Sequence, residues 1–79
     1  MLIDLGDKYF PHNLIYLRKK YALSRKALAR LIGISEYRLE AIEKGTCRPA
    51  VEFYSLRRLQ IIFNLTTNEL GHRMIEYDD

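Results

Sequence analysis

Between Leu23 and Gly45 the chain reads LSRKALARLIGISEYRLEAIEKG, a stretch that permits few folds. A serine side chain accepts a hydrogen bond from a free first-turn N–H, so Ser24 can cap one helix and Ser35 a second. Leu28, Ala29 and Ile32 share one face of the first helix, predicted over 25–32. Leu39 and Ile42 fall three apart on the inner face of the second, predicted over 36–44. Gly33 stands where a left-handed or closely approaching backbone needs a residue without Cβ. Gly45 stands where a glycine ends a helix.

Two short helices joined by a tight turn containing glycine form the helix-turn-helix arrangement of DNA-binding proteins. The segment resembles the Cro/CI-type helix-turn-helix, the phage-repressor or XRE family. That family has a small residue in the middle of its second helix, glycine in the turn and aliphatics around the third helix. Ala29, Gly33, Ile34, Leu39 and Ile42 fill those places. NLIYLRKKYALS resembles the family's first helix and FNLTTNEL its last, so the likeness covers roughly residues 12 to 72. It implies an all-α, five-helix, lambda-repressor-like domain.

The rest of the chain fits one domain over 1–79, with an arm at 1–10, the helix-turn-helix at 24–45 and an acidic tail at 73–79. Leu2, Ile3 and Leu5 alternate imperfectly, which allows a short strand. Asp7 or Pro11 opens the first helix, since proline is tolerated in a first turn. That helix runs to about Tyr21, with Leu14, Leu17 and Tyr21 on one face. Pro49 stops any continuation of the third helix. The fourth begins between Glu52 and Leu56 and ends near Phe63, burying Leu56, Leu59 and Phe63. Thr66 and Glu69 form a capping box that starts the fifth helix. The tail RMIEYDD is either a fraying helix end or a strand beside the arm. Phe53 and Tyr54 either fill core or form an exposed partner patch.

Seventy-nine residues, 48% of them hydrophobic, suffice for a small helical core. The single cysteine, Cys47, can form no internal disulfide and no cysteine-rich zinc site. A cytoplasmic protein is expected. There is no visible leader, and no apolar run reaches the ~18 residues of a membrane span. The net charge of +3 is unevenly spread. Residues 18–58 hold eleven basic and four acidic groups, while the two ends hold two basic and six acidic ones. A basic middle with acidic ends suits one polyanion-facing surface, although solvated helix faces give the same count.

The resemblance implies particular roles. The first residue of the second helix grips a backbone phosphate; the family's glutamine is Arg25 here. Ser24 caps that helix, whose amides can face a phosphate. Lys44, Thr46 and Arg48 match positions that touch the other side of the groove. Stepping 100° per residue with Leu39 and Ile42 inward turns Tyr37, Glu40, Ala41 and Lys44 outward. By resemblance Glu36, Tyr37, Arg38 and Ala41 are the base readers. Arg38 can take guanine O6 and N7, Glu36 can accept from cytosine N4, and Tyr37 and Ala41 can meet a thymine methyl. Glu36 and Glu40 weigh against tight binding, because carboxylates near phosphates are repelled. Arg18 and Glu43 match a structural ion pair of the family beneath this surface.

Nothing points to catalysis, a metal or a cofactor. His12 and His72 stand far apart, and no glycine-rich phosphate loop or Ser/His/Asp order occurs. Two functions are therefore carried forward. The first is a DNA-binding transcriptional regulator, a homodimeric repressor whose spare apolar surface is Leu65, Leu70, Met74, Ile75 and Tyr77. The second is a protein-interaction module, either antitoxin-like or a helix-turn-helix without DNA binding.

Overall fold

Local capping sets the middle of the chain. The structure is a computed structural model that describes residues 1–71, with the backbone alone for Thr67 and Asn68. Helix α1 spans Phe10–Lys20, α2 Arg25–Ile32 and α3 Glu36–Lys44. The Ser24 hydroxyl accepts from the Ala27 N–H and the Ser35 hydroxyl from the Arg38 N–H, each at 3.0 Å. Gly33 and Gly45 end α2 and α3 in the left-handed region, at φ 80° and 74°.

Helix α4 spans Phe53–Phe63 and stops at Asn64, a non-glycine residue at φ 55°. Asparagine tolerates that conformation better than most side chains. Helix α5 spans Thr67–Gly71. At its start the Thr66 N–H donates to Glu69 Oε1 at 2.8 Å, and the Glu69 N–H donates to Thr66 Oγ1 at 3.1 Å. The five expected helices are thus present. Helix α1 begins with Pro11 in its first turn and no side-chain cap, so Asp7 is not its opener.

Strand β1 (Leu2–Asp4) pairs antiparallel with β2 (Ala50–Glu52), in the register Leu2↔Glu52, Ile3↔Val51 and Asp4↔Ala50. The strand expected in the arm exists, but its partner lies in the connection between α3 and α4. The tail, read above as a helix end or a strand, lies outside the described residues. The pairing continues one residue further, with the Leu5 N–H donating to the Pro49 carbonyl at 3.0 Å. This carries Leu5 into the core.

That core gathers Phe10, Leu14 and Leu17 of α1, Leu28, Ala29 and Ile32 of α2, and Leu39 and Ile42 of α3. Val51, the α4 stripe Leu56, Leu59 and Phe63, and Leu70 close it. Tyr21, expected on the inner face of α1, lies beyond the helix end and is 52% exposed. Its ring rests on Phe63 at 5.2 Å instead. Leu70 is fully buried and Leu65 packs on the core, so neither is spare surface for a dimer. Met74, Ile75 and Tyr77 lie outside the described residues. The large exposed apolar side chains include Phe53 and Ile61 of α4.

Buried polar groups tie the helices together. Asn13 Nδ2 donates to the Leu70 carbonyl at 2.9 Å, joining α1 to the end of α5. The Ser55 hydroxyl donates to the Ile32 carbonyl at 2.7 Å, satisfying an otherwise orphaned acceptor at the end of α2.

Candidate nucleic-acid interface

Helices α2 and α3 are joined by Gly33, Ile34 and Ser35 alone. The positive φ of Gly33 disfavours any residue with Cβ, and a Cβ there would fall 2.6 Å from the Tyr54 hydroxyl and 2.7 Å from its ring, so that half-exposed side chain would have to swing aside. Tyr54 therefore lies across the turn. Arg58 stacks on the Tyr54 ring at 5.0 Å and donates to the Leu31 carbonyl at 3.1 Å. Tyr54 is exposed rather than core, while the edge of its ring lies against the turn. Phe53 beside it is exposed.

With Leu39 and Ile42 fully buried, α3 turns the opposite face outward. Tyr37 is 81% exposed there. Tyr37, Glu40, Ala41, Lys44 and Thr46 border an open depression of about 250 Å³. Glu36 is exposed at the N-terminal end of the same helix. Thr46 turns its hydroxyl back to the Ala41 carbonyl at 3.3 Å.

Arg38, a base reader by the resemblance, is placed differently. It is half-buried, and its Nη2 donates to the Ala50 carbonyl of β2. In this conformation it fastens α3 to the small sheet rather than pointing toward a groove. The cause is the non-local strand β2, which supplies a carbonyl acceptor beside the first turn of α3.

Beneath the surface Glu43 has no exposed side-chain area and meets two arginines. Arg18 of α1 approaches as a fork, Nε to Oε2 at 2.9 Å and Nη2 to Oε1 at 3.0 Å. Arg25 of α2 adds its Nε to Oε1 at 2.9 Å. Three helices therefore meet on one carboxylate. The bond to Glu43 raises the pKa of Arg25 above its ordinary value. Only one of the five guanidinium N–H groups of Arg25 makes that bond, and its side chain remains 36% exposed.

The other two candidate phosphate cations are also paired. Lys44 Nζ lies 2.7 Å from Glu40 Oε2, one turn back on α3. Arg48 Nε lies 3.0 Å from Asp4 Oδ2, across the β1–β2 pairing. Asp4 is itself held in place, because its Oδ1 accepts the Gly6 N–H at 2.8 Å. That backbone bond and then Arg48 lower the Asp4 pKa, and Lys44 lowers that of Glu40. Both carboxylates are therefore charged at neutral pH.

The sequence leaves Tyr54 open between core and exposed patch, and it gives no sign of the roles of Asp4 and Arg58 or of the link from Arg25 to Glu43. Asp4 and Arg48 are 44 residues apart, and only the strand pairing brings them together. Among the described residues no group of His, Cys, Asp and Glu could hold a metal ion. No described helix is long and apolar enough to cross a membrane.

No protein-family model matches the chain, and no curated protein matches it. Its fold is similar to the crystal structure of a transcriptional regulator from Listeria innocua, with a TM-score of 0.70 and 24% sequence identity. The match covers 89% of this chain and 64% of that one, so the chain spans under two thirds of the regulator's length. At this identity the likeness establishes the fold: a small helical domain of the helix-turn-helix kind with a two-stranded sheet.

Proposed function

We propose that the chain is a sequence-specific double-stranded DNA-binding protein of the Cro/CI (XRE) kind, acting in the cytoplasm as a homodimeric transcriptional repressor. One observation carries this reading. A short glycine turn, crossed by Tyr54, holds α3 with its apolar face buried and its outer face open, with Lys44 on the rim of that face and Arg25 bonded to Glu43 beneath it. The outer face of a second helix so held enters the major groove, and flanking cations and helix N-termini grip the backbone.

In this reading Ser24, Arg25, Lys44, Thr46 and Arg48 contact phosphates. Glu36, Tyr37 and Ala41 read bases from where they stand. Arg38 joins them by exchanging the Ala50 carbonyl for a guanine. Arg18 and Glu43 hold the scaffold under α3. The proposed homodimer matches the use of the motif by dimers, which bind half-sites one helical turn apart, ~34–36 Å.

A protein-interaction module remains the second reading. It is favoured by the pairing of Arg25, Lys44 and Arg48 with carboxylates of the chain itself, and by the exposed Phe53 and Ile61. Binding-site selection on random duplex DNA, followed by titration of the selected duplex over a salt series, separates the two. Enrichment of a motif with salt-dependent affinity supports the repressor reading. Absence of binding to any duplex supports the module.

A further inference from the structure

Each candidate phosphate cation in the free protein already holds a carboxylate, but the three carboxylates differ. Glu43 is buried and shared with Arg18, so it belongs to the scaffold. Glu40 and Asp4 are solvent-accessible, and each faces its cation at 2.7 and 3.0 Å. Asp4 is oriented by the Gly6 amide, so it stays aimed at Arg48. We propose that Asp4 and Glu40 are electrostatic masks that weaken and set the salt dependence of the grip of Arg48 and Lys44 on DNA phosphates. The proposal rests on the DNA-binding reading and adds to it two residues that touch no DNA.

Binding a phosphate at a masked cation is an exchange of partners. A bare cation that meets a phosphate lets the DNA release a counterion, and each such contact steepens the salt dependence by about 0.9 in log–log slope. A masked cation must first leave its carboxylate. That carboxylate is then stranded in the negative field of the duplex and takes up a cation from solution. The counterion released by the phosphate is largely offset, so the contact adds little slope and little affinity. Exposed pairs of this kind contribute little, roughly a 1.5- to 5-fold factor in affinity per mask.

The test uses the full chain and a random-sequence duplex, with affinity measured across a salt series. Asp4→Asn keeps an oxygen for the Gly6 amide and removes the charge, and Glu40→Gln does the same on α3. Each is expected to tighten binding by roughly 1.5- to 5-fold at low salt and to steepen the slope by up to about 0.9. A gain of net positive charge alone would also tighten binding, so Asp4→Asn is repeated in an Arg48→Gln background and Glu40→Gln in a Lys44→Gln background. There the masks have nothing to cover, and their removal is expected to change affinity little. Equal gains with and without the masked cation overturn the proposal. So does an unchanged slope in both single variants while the parent protein binds and Arg25→Ala weakens it, an outcome that leaves the DNA-binding reading standing. Failure of every form to bind any duplex overturns both together.

Discussion

At the residue scale, Glu43 is the pivot of the candidate site. Its carboxylate holds the fork of Arg18 and the Nε of Arg25, with no exposed side-chain area of its own. Removing one member of a buried ion pair costs about 3–5 kcal/mol, because the survivors lose their compensation. Glu43→Ala should therefore lower the melting temperature strongly. Glu40→Ala, which removes only a half-exposed i,i+4 partner of Lys44, should lower it by a small fraction of that. Equal melting of the two variants would contradict this assignment. Arg25→Ala should weaken binding to all duplexes about equally and reduce the salt slope by about one unit. Arg38→Ala should cost about 1–3 kcal/mol on a selected site and much less on a scrambled one. If Arg38→Ala instead lowers stability and leaves sequence preference intact, its bond to Ala50 is its whole role.

At the element scale, what was legible in the sequence was local. Ser24, Ser35, Gly33 and Gly45 fix both ends of α2 and α3 through bonds within four residues, so their limits could be read directly. The Thr66–Glu69 box marked α5 for the same reason. Strand β2 could not be read. It is three residues long, and its partner lies nearly fifty residues away at the start of the chain. Everything that depends on it was hidden as well: the anchoring of Arg38, the pairing of Arg48 with Asp4 and the burial of Leu5. Tyr54 was ambiguous because its contact with the turn exists only where α4 crosses it. Gly33→Ala tests that crossing. The left-handed backbone alone costs a residue with Cβ about 1–2 kcal/mol, and the added carbon also displaces Tyr54. Gly45→Ala, at a similar φ but with nothing within 4 Å, should pay only the backbone part. A melting point for Gly33→Ala no lower than for Gly45→Ala would show that Tyr54 swings aside without cost.

At the scale of the whole molecule, the chain concentrates its basic groups between residues 18 and 58 and its acids toward the ends. The fold then returns one of those acids, Asp4, to the basic region beside Arg48. A protein built this way should bind DNA with a shallow salt slope for the number of its cations, and through two copies. Sedimentation of the chain with a selected duplex should show two protomers per site, and one protomer at every ratio would contradict the dimer. Sequence-specific DNA binding is decided by the affinity of the unmodified chain for a selected duplex and for its scrambled counterpart, measured side by side over a salt series. A sequence-specific binder holds the selected duplex more tightly, by roughly 10³-fold or more at physiological salt, with both affinities falling as salt rises. Equal affinities for the two duplexes, or no measurable binding to either, would contradict sequence-specific binding.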